Sequence, residues 1–314
     1  MELHRAVTYG FGRHGLGIGA CIGACIAAML VTSPASATFS ITAADSVSGA
    51  VGGAGASCVP YEVILIYGEA PGYGALNAQA WVHEAGRDRG VDLLAGGASA
   101  SAVIEALCDE QTDPLAPRMQ YGVATRSGES AACTGPEALP FAGHRTGNAG
   151  STWFAVQGNV LTSARVLDQA VASLEVQGCD LPERLMLGME AAAQNGEGDS
   201  RCTPDGLPAS SAYLAVAFAD GSHLRISVPD VSPEDPLVQL RSELDAWRTT
   251  HPCPAIENDA GSPPDAAPPT GDEVETGGCA VVPAPPLGFE SAAALIAAWL
   301  ARVARRRQRD PRRG

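Results

Sequence analysis

The chain contains no lysine. All 20 of its basic residues are arginine, in 314 residues, so no serine–lysine dyad can operate in it. The one amine it can offer a catalytic centre is a backbone terminus. There is no C-x-x-C pair, which argues against a zinc ribbon or a thioredoxin-like redox site, and no G-x-S-x-G elbow. His83-Glu84 does not continue into H-E-x-x-H. Positive charge is scarce as well: between Thr38 and Cys279 there are 11 arginines against 32 carboxylates, a formal −21, beyond the −15 of the whole chain. Such a surface repels phosphate backbones and argues against nucleic acid as a partner. The carboxylates are scattered rather than clustered, as on a solvated face that maintains solubility.

What is present begins with an export pattern. Arg5 and Arg13 form a weakly basic start, Leu16–Val31 is a run of small and apolar residues, and Ala35-Ser36-Ala37 is an A-x-A cleavage signal. The apolar run is shorter than the ~20 residues that a spanning helix needs. Lipid attachment at Cys21 or Cys25, each ending an "IGAC", is the competing reading, but apolar sequence continues past both. The pattern predicts a signal peptide over residues 1–37, export to the periplasm, cell surface or medium, and a mature chain beginning at Thr38. Six cysteines then remain in the body: Cys58, Cys108, Cys133, Cys179, Cys202 and Cys253. An even number in an oxidising compartment predicts at least two disulfides. Sequence leaves the pairing open, with Cys179–Cys202 preferred because the two lie in loops flanking one helix.

Residues 38–250 have globular texture and suffice for one domain with a substantial core. Residues 251–278 are rich in proline, acids and small residues without periodicity, which predicts an extended linker. Residues 279–314 hold Cys279, the apolar stretch Ser291–Ala301 and seven arginines between Arg302 and Arg313. That order resembles the C-terminal surface-sorting tails of myxobacteria and their relatives, and implies membrane or cell-surface attachment through the tail. Glu290 interrupts the apolar run, and a fortuitous amphipathic helix is the blander alternative.

Within the domain, Thr38–Ala44 and Ala50–Cys58 read as a hairpin turning at Asp45–Gly49. Glycine and alanine crowd its second strand, which points to close approach of another layer. Further hairpins turn at Ser127-Gly128 and Asp220-Gly221, and Thr152–Leu161 reads as a buried strand. Helical patterns cover Arg87–Leu94, Ala100–Glu110, Ser163–Gln177 and Leu181–Asn195, and a last helix starts at Asp235-Pro236. Strand pairs alternating with helix pairs exclude a continuous parallel βαβ sheet. They predict an α+β fold, arranged as a four-layer αββα sandwich whose first strand starts at Thr38.

A threonine at a chain terminus carries its own base. Its Oγ is the nucleophile, and its α-amine, with a reference pKa of about 7.7–8.0, is substantially neutral at mildly alkaline pH. The segments "TFSITAADSVSGAVGGAGASC", "QYGVATRSGESAACTGPE", "AGHRTG", "AVQGNVL" and "GDSRC…SSAYLAV" resemble, in order and spacing, the bacterial and archaeal family called domain of unknown function 1028. The resemblance runs from Thr38 to about Val228. It implies an αββα fold of the N-terminal-nucleophile (Ntn) hydrolase superfamily and an amide-hydrolysing activity on a substrate the family leaves undefined; Thr38 is the expected nucleophile, and no cofactor or metal is expected. In members without a signal peptide the threonine follows the initiator methionine; here the A-x-A site stands in its place. The stretch "SRCTPDGLPASS", with Cys202 and inserted residues, departs from the family pattern.

Other candidates are weaker. Asn159, beside the Gly158 break, is a candidate oxyanion donor, although Gln157 and Asn159 serve equally well as partners for buried backbone groups. His144 and Arg145 in "GHRTG" are candidates for holding a substrate carboxylate, against a turn held by side-chain hydrogen bonds. Asn195–Gly206 alternates oxygen ligands like a calcium loop, but Ser200 stands where glycine is needed and no glutamate closes the site. A local Asp199–Arg201 ion pair is the simpler expectation. The leading expectation is therefore an exported Ntn amidohydrolase acting on a small-molecule or peptide amide. Its rival is a non-catalytic surface binding module on the same fold, and the first residue of the mature chain separates the two.

Overall fold

Two antiparallel sheets carry the fold in the computed structural model, which describes residues 38–176 and 178–254. The described residues belong to the first of the chain's two units, Met1–Asn258. The expected signal peptide, nearly all of the expected linker and the tail lie outside them.

Strands β1 (Thr38–Asp45), β2 (Val51–Ser57), β7 (Gly143–Ala149), β8 (Thr152–Asn159), β9 (Ser211–Ala217) and β10 (His223–Val228) form one sheet, in the order β10-β9-β2-β1-β8-β7. Strands β3 (Tyr67–Ala70), β4 (Gly74–Gln79), β5 (Gln120–Thr125) and β6 (Glu129–Thr134) form the other, in chain order. The fold is α+β. Helices α3 (Arg165–Glu175), α4 (Leu181–Ala192) and α5 (Pro236–Arg248) pack on the outer face of the six-stranded sheet. Helices α1 (Glu84–Ala95) and α2 (Ala100–Leu107) cover the outer face of the four-stranded one.

Local chemistry explains where the helices begin. Ser99, Asp180 and Asp235 each accept a backbone N–H of the first turn through the side chain, and Pro182 and Pro236 sit where no N–H is needed. The sequence places these helices correctly to within a turn. It misses β3, β4 and β7. "YGEAPGYGALNAQ" is broken by Pro71-Gly72, and both faces of β4 are buried, so no inside–outside alternation marks it. "GHRTG", expected as a carboxylate-binding segment or a turn held by side-chain hydrogen bonds, is instead an edge strand paired with β8 from Gly143↔Gly158 to Ala149↔Thr152.

Alternation along β1 sorts its side chains between two environments. Phe39, Ile41 and Ala43 enter the apolar layer beneath α3, α4 and α5, whereas Thr38 and Ser40 turn toward the second sheet. The sheets approach closely where glycine allows it: a Cβ on Gly53 would lie 2.9 Å from the Tyr67 ring, and one on Gly122 2.6 Å from Gln157 Oε1. Of the crowded glycines of β2, Gly53 thus meets the second sheet, as expected, while Gly55 makes room for the Tyr213 ring of its own sheet.

Three disulfides tie the body: Cys58–Cys202, Cys108–Cys133 and Cys179–Cys253. The preferred Cys179–Cys202 pairing is wrong. Cys202 lies in a loop folded back against the end of β2, with its Cα 5.8 Å from that of Cys58, and Cys179 is bound instead to a residue beyond α5. The first residues of the expected linker accordingly belong to the body. His251 stacks on Trp247 at 4.2 Å between ring centroids, and Cys253 is covalently held. Three such pairs suggest an oxidising, extracellular-type environment. Among the described residues no helix is long and apolar enough to cross a membrane.

Candidate functional site

Thr38 heads β1 in the middle of the six-stranded sheet, flanked in register by Ser57 on β2 and Asn159 on β8. Its hydroxyl donates to Ser57 Oγ at 3.3 Å, and the residue is fully buried in the chain that still carries residues 1–37. Its carbonyl is held from the other sheet: Gln79 Nε2 donates to Thr38 O at 3.0 Å and to Gln120 Oε1 at 3.2 Å, while Ser40 Oγ donates to Gln79 Oε1 at 2.6 Å. Gln120 Nε2 in turn reaches Gly158 O at 2.9 Å and Thr134 Oγ1 at 3.0 Å. Thr38, Ser40, Gln79 and Gln120 each spend a hydroxyl or amide donor on a named acceptor, which is how buried polar groups avoid the cost of desolvation.

A narrow pocket of about 380 Å³ of empty space, its open mouth included, is lined by Thr38, Ser57 and Gln79 together with side chains from residues 59–66 and 78–83. The backbone is strained at two positions near Thr38, one lining the pocket and one following its register partner on β8. Ala80, directly after Gln79, has φ 77°, and Val160, directly after Asn159, has φ 52°. A β-branched residue in that region is an outlier, and such strain concentrates at functional sites. Two separate strands therefore end in strained residues beside the same threonine.

The expected site residues are not all brought together. Asn159 is buried next to Thr38. Gln157 takes the blander of its two expected roles, donating from Nε2 to Asn77 O at 3.1 Å across the sheets. His144 Nδ1 lies 2.9 Å from Thr134 Oγ1, so it joins the far end of the glutamine network and not the pocket. Burial, then the neighbouring Arg145, holds its pKa below the ordinary value. Arg145, pointing to the other face of β7, pairs through Nη2 with Asp168 Oδ1 on α3 at 2.9 Å. The two do not converge on one ligand. In the calcium-like loop, the buried Asp199 carboxylate accepts the Cys58 N–H at 2.7 Å and Arg201 Nη2 at 2.9 Å, the ion pair expected from sequence. Among the described residues no cluster of histidine, cysteine and carboxylate side chains is arranged to hold a metal.

Sequence reading missed Ser57, Gln79 and Gln120. A faint signal for Gln79 exists: in "ALNAQAW" amides recur at alternate positions of an otherwise apolar run, the mark of a strand with one polar buried face.

Two antiparallel sheets, helices on their outer faces and a threonine heading a central strand beside a pocket define the class of this α+β protein. The chain matches the family of unknown function DUF1028 over residues 38–244 and belongs to that family. A solved structure of similar fold is protein SPO2555 from Silicibacter pomeroyi, described with the same family, at TM-score 0.58 and 21% identity over 68% of this chain and 89% of that one. At that identity the likeness is one of fold alone. No curated protein matches.

Proposed function

We propose that this protein is an exported amidohydrolase of the N-terminal-nucleophile kind, in which removal of residues 1–37 frees Thr38 to act. The four layers of helix, sheet, sheet and helix are read here as an Ntn-type αββα sandwich. The observation that carries the reading is the position of Thr38: the residue directly after the A-x-A signal heads a central strand, lines the pocket and lies near two strained backbone positions.

In this reading Oγ attacks the amide carbonyl, and its proton passes through the α-amine to the leaving nitrogen as the C–N bond breaks. The acyl group remains as an ester on Oγ until water releases it as the carboxylic acid. Ser57 orients the hydroxyl, and Gln79 fixes the Thr38 carbonyl from the second sheet. The Asn159 amide, beside Thr38 on β8, is the candidate donor to a developing oxyanion. The test is N-terminal sequencing of the exported protein followed by labelling with an alkyl β-lactone, whose ring carbonyl Thr38 Oγ opens to an ester. A mature chain starting at Thr38 and labelled there supports the reading. A chain starting elsewhere sinks it in favour of a non-catalytic surface binding module.

A further inference from the structure

Consecutive residues of the calcium-like loop, from Asp199 to Cys202, are tied to the ends of both strands that flank Thr38. On the β2 side, the fully buried Asp199 carboxylate accepts the Cys58 N–H at 2.7 Å, one residue beyond Ser57, and Cys202 is bonded covalently to Cys58. On the β8 side, one residue beyond Asn159, Val160 O accepts twice from Ser200, from its backbone N–H at 3.0 Å and its hydroxyl at 2.9 Å. Asp199 also bridges to Leu161 in antiparallel register. Arg201 completes the assembly with a two-pronged hold on the carboxylate, Nε to Oδ1 at 3.1 Å and Nη2 to Oδ2 at 2.9 Å. Ser57 and Asn159 are the register partners of Thr38, so this loop joins the two strands between which β1 begins.

A strand that starts at the first residue of a chain has no preceding segment to hold it, and chain ends fray unless they are tied down. Thr38 is such a residue in the proposed mature protein. Val160 adds a second demand: a β-branched residue at φ 52° keeps that conformation only where its surroundings over-determine it. The paired bonds from Ser200 to its carbonyl do so. The carboxylate also matters as an anion. An asparagine of the same shape has a single oxygen, and its NH2 would face Arg201 or the Cys58 N–H, donor against donor. We infer that Asp199 is a positioning residue for Thr38: through Cys58 on one side and Ser200 on the other it clamps the two flanking strand ends, and so fixes Thr38 against Ser57 and Asn159. The positioning role rests on the proposed Thr38 chemistry; the clamp does not.

The clamp is read first, independently of catalysis, as amide-resolved hydrogen exchange of the exported protein. Asp199→Asn should speed exchange about tenfold at Cys58 and at Phe39 and Ser40 in the head of β1, and leave helix α2 unchanged. Ser200→Ala, a milder change that keeps the test open should Asp199→Asn fail to fold, should speed it about threefold. The positioning role is read as labelling of Thr38 by an alkyl β-lactone at a temperature where each protein is folded. In Asp199→Asn the maximal labelling rate should fall about tenfold while the lactone concentration for half-maximal rate stays within about twofold, because the clamp aims the hydroxyl. The Cys179→Ala/Cys253→Ala pair, which opens the bridge between the approach to α4 and the residues beyond α5, should alter neither readout. Unchanged exchange at the head of β1 in both clamp variants overturns the clamp. Faster exchange with an unchanged maximal labelling rate makes the loop structural alone and overturns the positioning role. An unaltered protein that takes no label overturns the nucleophile, and the positioning role with it, while exchange still decides the clamp.

Discussion

The two faces of strand β1 share one backbone and differ in almost everything else. Phe39 and Ile41 are packed among leucines, valines and methionines of α3, α4 and α5, where adhesion is non-directional and roughly proportional to buried area. Thr38 and Ser40, their immediate neighbours, lie in a layer where Ser57, Gln79 and Gln120 exchange hydrogen bonds. That layer adds little net stability per bond, but an amide pair bonds properly in one register only. Farther along, Asn77 continues the polar contacts between the sheets, donating through Nδ2 to Ile41 O at 3.1 Å and accepting Tyr213 Oη at its Oδ1, while the rings of Tyr67 and Tyr213 lie 5.7 Å apart among apolar neighbours. The polar contacts thus run from the head of β1 to its middle. One face holds the sheet to its helices, and the other fixes where the head of the strand points.

Substitutions that act on one face and spare the other break this comparison most cleanly. The largest effect belongs to Thr38. Thr38→Ala should reduce amide hydrolysis to the uncatalysed background while costing only about 1 kcal/mol of stability, the worth of one hydrogen bond. One residue retained ahead of Thr38 should be equally inactive, because a peptide nitrogen cannot serve as base. Steady-state turnover with a thermal melt of each protein decides this.

Loss of the Cys58–Cys202 bridge, which follows directly from β2 at the polar end, should cost roughly 5 kcal/mol on chain-entropy grounds for its separation of 144 residues. The Cys108–Cys133 bridge, separated by 25 residues, should cost roughly 3.5 kcal/mol. Urea unfolding of the two alanine double variants measures the difference. If the shorter loop proves the costlier, closure entropy is not what the bridges supply.

On the apolar face, Ile41→Ala should cost about 2–5 kcal/mol. Gly188 of α4 leaves room for Ile41 so tightly that a Cβ there would lie 2.6 Å from Ile41 Cδ1, and the helix has little freedom to close the cavity. Activity below the melting point should persist. On the polar face, Gln79→Ala should cost about 1–3 kcal/mol by leaving Thr38 O and Gln120 Oε1 without their donor. Here activity should fall at temperatures where the fold is intact. A variant of Gln79 that melts earlier but keeps full kcat would show that the network is structural alone.

The smallest effect is a pH dependence. The fold holds the His144 pKa below its ordinary value through burial and then Arg145, so the unfolded chain takes up the proton first as pH falls. Stability from this group is present above the unfolded pKa. It is lost between that value and the lower folded one, and it levels off below both. The melting temperature should therefore decline as pH drops through about 6.5, and His144→Gln should remove part of that slope. His144 is only half-buried, so solvent screening keeps the effect small.

Much of this molecule was legible residue by residue. Helix starts are local events, set by Ser99, Asp180 and Asp235 and by prolines in the first turn, and the hairpin at Asp45–Gly49 announces itself by its turn residues. The placement of Thr38 at the head of a strand follows from "TFSITAA" and the A-x-A signal before it. Tertiary structure alone decided what stands around that threonine. Gln79 reaches it across 41 positions of sequence and Cys202 meets Cys58 across 144. β4 and β7 exist as strands because neighbouring strands supply their hydrogen bonds, not because their residues prefer extension. Periodicity reports a residue's own element and the face it buries; it carries no record of which distant backbone will complete that face, and the pocket is made at such a meeting.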